Sequence, residues 1–446
     1  MLREAWKLAI ETLQQIEQKR FSERQALTKA TKQLRIKDPT AIGLAHRLVT
    51  ETLRKKNLID YIINMVLAPK TVYDVKPVAR SFLRLYTYET KILDSNLEKA
   101  ARTAKMGRTI LGWHQLTGIE EALGKILSAD PATAMNGLEE TQKVALRTFN
   151  PAWFVRYCIK MLGRDEAIKF LEKSAEPTPT YLRINTLKTS EEEALKKLEE
   201  ENIVVEKVAK LKHTYKLLHT KKPLPKTQTH QDGLFYIQDK ASCLAALVAD
   251  PKPDTTVLDV CAAPGSKTTF LAQQMQNRGT IISVDYSKRR ITTWKKETTR
   301  MGATNAQPIV ADTRSGLPVN LQADLVILDP PCTSTGTFGK TPAAKWRLTG
   351  RSIRAMAKMQ TEMLQTCAEH VKAGGFLVYA TCSITLQENE MIITEFLKHN
   401  PEFKLVNTEP ELGSPGLRGL TKCQRLYPHK DGCNGFFVAK LEKEAV

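Results

Sequence analysis

The chain has 446 residues, with 67 Lys and Arg against 48 Asp and Glu, a formal charge of +19, and 42% apolar side chains. At roughly 100 to 200 residues per domain this predicts two or three domains with ordinary cores, and the positive excess points to a polyanionic partner, nucleic acid first. No run of about 18 apolar residues occurs and charges interrupt the apolar positions of MLREAWKLAIETLQQIEQKR, so neither a membrane span nor a secretory signal is expected. The eight cysteines are scattered, which argues against a disulfide scaffold and fits a reducing cytoplasm.

Up to about residue 140 the apolar residues fall at helical spacing. Ala5, Trp6, Ala9, Ile10, Leu13 and Ile16 line one face; Ile42, Ala45, Leu48, Val49 and Leu53 line a second; Val78, Phe82, Leu83 and Leu85 begin a third after Pro77. Turn residues from Asp130-Pro131 to Asn136-Gly137 suggest a linker or boundary. The texture then becomes mixed, with strands expected at Tyr181 to Asn185, Ile203 to Val205 and Leu234 to Ile237. A helix is expected from Ser190, where Ser190 and Glu193 have capping-box spacing. Between these strands Lys207, Lys210, Lys212, Lys216, Lys221, Lys222 and Lys226 follow one another with no acidic residue. With Tyr215 among them, the run reads either as a phosphate-gripping loop with a stacking face or as a solvated basic loop.

From Thr255 onward apolar strands alternate with helical patterns: Val257 to Val260, Thr280 to Asp285, Pro308 to Ala311, Leu325 to Asp329 and Phe376 to Thr381. This predicts a parallel sheet whose ligands bind beyond the carboxyl ends of its strands. The first strand runs into Cys261, Ala262, Ala263, Pro264, Gly265, Ser266 and Lys267, small residues that let a ligand approach the backbone at a helix start. Asp285, Asp312 and Asp329 follow at successive strand ends. The set suits an adenosine-containing ligand without phosphates, since the longer glycine spacing of a phosphate loop is missing. Cys332 in DPPCTSTG and Cys382 in ATCS each follow a strand and are expected to face one crevice with Asp329. Cys423, His429 and Cys433 lack a fourth zinc ligand at a recognisable spacing, and no metal is expected.

CAAPGSKT, DPPCTSTG and ATCS together resemble the Nop/Sun/Fmu family of RNA cytosine-5 methyltransferases, and the likeness extends through PTYLRINTLK (Pro179 to Lys188), FYIQDKAS (Phe235 to Ser242) and RLYPHKDGCNGFFVA (Arg425 to Ala439). The helical first part is similar to the NusB-like RNA-binding domain of some members. The resemblance implies an α/β fold in three parts: an all-helical NusB-like domain at 1–140, a small α+β RNA-binding subdomain at 141–250, and a Rossmann-like methyltransferase domain at 251–446 with a mostly parallel sheet. It implies S-adenosylmethionine as cofactor, held by the loop from Cys261 to Lys267 and by Asp285, Asp312 and Asp329, and ribosomal or transfer RNA as partner of a cytoplasmic monomer. It implies Cys382 as covalent nucleophile, Cys332 as helper in release of the adduct, and Asp329 and Lys267 beside the target base. Two departures stand out. Ser266 takes a position commonly glycine, and Phe338-Gly339-Lys340-Thr341 replaces a stretch often richer in arginine. Two other readings remain: an amino methyltransferase using Asp-Pro-Pro without a cysteine, and a non-catalytic RNA-binding factor.

Overall fold

The computed structural model describes residues 1–445, which form two compact units. The first comprises Met1–Pro177 and the excursion Phe338–Arg347; the second comprises Thr178–Thr337 and the chain from Leu348 onward.

The first unit is helical. Its expected apolar faces appear on helices Leu2–Lys19, Pro39–Arg54 and Pro77–Thr87. Ser22 and Asp38 cap helix starts by accepting backbone N–H groups, and Pro39 and Pro77 occupy first-turn positions where no N–H is needed. The core gathers Trp6, Phe82 and Tyr86, with ring centroids 6.0 Å apart in each adjacent pair. The turn-rich segment, read as a linker or boundary, contains a short helix, Pro131–Met135, which Asp130 caps and Pro131 opens. The excursion is also built into this unit. Phe338 is buried edge-on against Phe154 at 5.4 Å, Lys345 Nζ donates to the carbonyls of Arg54 and Phe149 at 2.8 and 2.5 Å, and Trp346 Nε1 donates to Leu53 O at 2.6 Å. The Phe338 departure is therefore a packing feature of the helical core.

The second unit holds two sheets. The smaller has strands β1 (Tyr181–Ile184), β2 (Ile203–Lys207), β3 (Thr214–Thr220) and β4 (Phe235–Ile237), in the antiparallel order β2-β3-β1-β4. Part of the basic run is thus strand β3, and Tyr215 is buried with its hydroxyl bonded to Glu191, so it offers no stacking face. Its lysines other than the half-buried Lys216 are exposed. Ser190 caps helix Glu191–Glu200 as expected, but Glu193 takes the Thr189 hydroxyl at 2.8 Å, leaving the capping box half formed. Arg183, fully buried on β1, reaches Gln238, Gln273 and Thr269 at 2.9, 2.5 and 2.8 Å and so ties this sheet to helix Ser266–Gln274.

The larger sheet is nine-stranded and mostly parallel. Strands β5 (Thr256–Val260), β6 (Thr280–Asp285), β7 (Ala306–Val310), β8 (Ala323–Leu328) and β9 (Val371–Thr381) run side by side as β7-β6-β5-β8-β9. Three closing strands, β10 (Phe403–Val406), β11 (Ser414–Pro415) and β12 (Gln424–Leu426), join β13 (Phe436–Lys443), which pairs antiparallel with β9. Val257, Leu258, Val260, Val326, Ile327 and Leu328 are fully buried, as a sheet covered on both faces requires. The chain steps from β5 outward to β7 and returns at β8, so strand order reverses between β5 and β8, where α/β folds open a crevice. The loops after β5, β8 and β9 all open there.

Candidate active site

The loop after β5 is shaped by its backbone. Cys261 has φ +65°, an uncommon conformation for a side chain, and Gly265 has φ +108°, which only glycine adopts without strain. Gly265 N donates to Ala262 O at 2.8 Å, closing a tight turn onto helix Ser266–Gln274. Ala262 and Ala263 are buried, and Ala263 N donates to Asp285 Oδ2 at 3.3 Å, pinning the loop to the end of β6.

Beside this loop lies a cavity of about 240 Å³ lined by Cys261, Asp285, Tyr286, Ala311, Asp312, Thr313, Arg314, Pro331 and the methionines 356, 359 and 363. The Asp285 side chain also accepts from Ser287 N at 3.1 Å and faces Arg290 at 3.3 Å. Asp312 caps the turn Thr313–Ser315, and its bond with the Arg314 side chain, 2.6 Å at the closest, holds its carboxyl below the usual range. Tyr286, 63% exposed, and the three methionines offer flat or adaptable apolar surface. Their signal in the sequence was slight: a tyrosine next to Asp285, and methionines on a helix readable only as core.

Asp329 and Lys267 form an ion pair across the crevice, with Lys267 Nζ also 3.4 Å from Ser242 Oγ. Lys267 is 7% exposed, which rules out a surface capping lysine. Burial alone lowers its pKa, but the Asp329 carboxylate outweighs that and raises it, so the side chain stays an ammonium at neutral pH. Asp259, on β5 and 1% exposed, was not singled out in the sequence. Burial pushes it up to about 7, partly offset by a 2.5 Å bond from the Thr268 hydroxyl.

The two motif cysteines meet. Cys332 Sγ and Cys382 Sγ are 3.2 Å apart and each is partly exposed. The Cys332 thiol pointing at Cys382 holds the Cys382 pKa below its ordinary value, helped by Ser334 and Lys267 and opposed by burial and Asp329. The same contact, with burial, pushes Cys332 well up. Gly336 closes the arrangement: a Cβ there would stand 2.0 Å from Gly435 O, so glycine is needed for the DPPCTSTG loop to approach the segment before β13.

Known proteins resemble this chain along its length. The family model for 16S rRNA methyltransferase RsmB/F matches residues 246–442, the ferredoxin-like domain of RsmF/B-like methyltransferases matches 150–221, and the NusB family matches 3–102. The crystal structure of PH0851 superposes with a TM-score of 0.85 at 31% identity, over 99% of each chain. This chain belongs to the RsmB/F methyltransferase family. A curated relative of the RsmB/F family, the probable ribosomal RNA small subunit methyltransferase B of Bacillus subtilis, is 29% identical over 98% of both chains. The structure of NSun6 from Pyrococcus horikoshii with SFG, an S-adenosylmethionine analogue, superposes with a TM-score of 0.61 at 26% identity, covering 66% of this chain and 98% of that one.

The residues of this RsmB/F-family crevice fit S-adenosylmethionine. Carboxylates at the ends of β6 and β7 can accept from ribose hydroxyls and an adenine amino group, the methionine surface suits a purine face, and the alanine-rich loop leaves its backbone open. Among the described residues no group of three or more His, Cys, Asp or Glu side chains is arranged to hold a metal ion, and no helix is long and apolar enough to cross a membrane.

Proposed function

We propose that this chain, an RNA cytosine-5 methyltransferase by family, methylates a cytosine of ribosomal or transfer RNA through a transient covalent adduct to Cys382. The observation that carries the reading is the 3.2 Å sulfur pair on the same rim as the Lys267–Asp329 ion pair. An amino methyltransferase needs neither thiol.

Carbon 5 of cytosine is a weak nucleophile until a thiolate adds at carbon 6 and turns the ring into an enamine. In this reading Cys382 supplies the thiolate, forming the sulfur–carbon 6 bond while the ring's electron pair shifts toward carbon 5 and the ring nitrogen. Asp329 accepts from the exocyclic amine, and the Lys267 ammonium steadies the charge developing on the ring. S-adenosylmethionine would be held by the Cys261 to Lys267 loop with Asp285, Asp312 and Asp329, and would supply an electrophilic methyl group to carbon 5, its sulfur leaving as the neutral thioether. With Cys332 assisting, the carbon 5 proton passes to solvent; its bonding pair re-forms the double bond and Cys382 leaves as thiolate. The base must be extruded or single-stranded to reach this crevice, and the exposed lysines from Lys207 to Lys226 and the helical unit would hold the flanking RNA. The same proposal takes the enzyme as a monomer in the cytoplasm, where a reducing compartment suits its free cysteines. The domain reading at 1–140, 141–250 and 251–446 remains part of it.

The test is bisulfite sequencing of ribosomal and transfer RNA incubated with S-adenosylmethionine and either wild-type protein or the Cys382→Ala variant. One newly protected cytosine with wild type and none with the variant is expected. Methylation by the variant would favour amino-methyl chemistry, and a protein that binds no S-adenosylmethionine would favour a non-catalytic RNA-binding factor.

A further inference from the structure

Behind the two thiols lies a carboxylate that the chemistry above does not use. Glu388 is fully buried, and every hydrogen bond to its carboxyl comes from a donor on or beside the cysteine loops. Oε1 accepts from Thr333 N at 2.8 Å and Gln360 Nε2 at 3.1 Å; Oε2 accepts from Ser383 Oγ at 2.7 Å, Thr385 Oγ1 at 2.8 Å and the Thr333 hydroxyl. Thr333 directly follows Cys332, and Ser383 directly follows Cys382. One side chain therefore grips the residue after each sulfur.

We propose that Glu388 is a positioning residue that locks the loop after β8 to the loop after β9, so that the Cys332 thiol stays aimed at Cys382. A buried carboxylate is costly unless donors satisfy it; here they do, and they come from both loops. Supporting bonds run the same way: Gly336 N donates to Cys382 O at 2.9 Å, and Thr335 Oγ1 lies 2.9 Å from Ser383 Oγ and accepts from Ile384 N at 2.9 Å. Glu388 is itself fixed from beneath, its carbonyl accepting from the β9 Tyr379 hydroxyl at 2.7 Å. Without this strap fewer bonds hold the two loops in register, and a thiol donor a fraction of an ångström too far no longer stabilises the Cys382 thiolate.

The proposal rests on Cys382 as nucleophile, so its test reads the thiol separately from methyl transfer. Full-length wild type, Glu388→Gln and Thr333→Val would be compared by S-adenosylmethionine affinity, by kcat and KM on RNA, and by the pH dependence of Cys382 alkylation with iodoacetamide, located by peptide mass mapping. Thr333→Val removes one hydroxyl donor at a half-buried site and serves if the buried substitution impairs folding. Both variants should keep cofactor affinity and KM, lose kcat by up to roughly 10²-fold, and need a pH higher by about one unit for half-maximal alkylation of Cys382. An alkylation profile that does not move in the folded variants overturns the positioning role, even if kcat falls, because Glu388 would then act only through general stability. Methyl transfer by Cys382→Ser at the wild-type rate would instead overturn the nucleophile reading itself.

Discussion

Replacing Asp259 by Asn should change how stability depends on pH. Asp259 lies beneath the cofactor loop at 1% exposure, its carboxyl bonded to the Thr268 hydroxyl, which in turn accepts from Trp294 Nε1 at 2.9 Å. Burial raises its pKa to about 7, against about 3.9 for an unfolded Asp. The folded state therefore keeps a proton that the unfolded state releases. This contribution is fully present below about pH 4, is lost as pH rises toward about 7, and is absent above it. Three units at ~1.36 kcal/mol each make it about 4 kcal/mol in all, of which roughly 3 kcal/mol disappears between pH 5 and 8. An Asn side chain mimics the protonated acid at every pH, so wild type should lose stability relative to Asp259→Asn by that amount across the interval. The assay is urea unfolding at several pH values, following the transition that S-adenosylmethionine shifts, since a chain of two units need not unfold in one step. Parallel pH curves for the two proteins would refute the argument and show that Asp259 is ionised in the fold at all these values.

Three further outcomes are expected. Cys332→Ala should accumulate a protein–RNA adduct that survives denaturing electrophoresis, because methyl transfer proceeds while release is slowed; absence of the band would remove Cys332 from the release step. Lys267→Met should lower the rate at saturating S-adenosylmethionine by roughly 10²- to 10³-fold, the usual cost of losing a preorganised charge, measured by single-turnover methylation. Arg183→Met strips the buried oxygens of three partners, Gln238, Gln273 and Thr269, of a donor; at roughly 1–3 kcal/mol for each unsatisfied group it should lower the melting temperature clearly and weaken S-adenosylmethionine binding by loosening helix Ser266–Gln274.

Much of this molecule was legible before any coordinates. The apolar period on Leu2–Lys19 and Pro39–Arg54, the strands from β5 to β9 and the small-residue loop after β5 all follow from local rules: side-chain period, caps and turn residues act within a few positions of one another. For the same reason both cysteines and three aspartates could be assigned to strand ends. Local rules have no purchase on contacts between distant segments, and these only the tertiary structure decided. The short antiparallel closing strands escaped notice because β11 and β12 are two and three residues long and form only by pairing, β12 against β13 and β11 against β12. One of the two readings of the basic run made Tyr215 a free stacking face, but Glu191, 24 positions earlier, takes its hydroxyl. Neither Asp259 nor Glu388 was singled out in the sequence; each acquires meaning from burial and from donors up to 55 residues away. A sequence shows which groups are available, but the distance between two sulfur atoms 50 positions apart is set by the sheet that carries them.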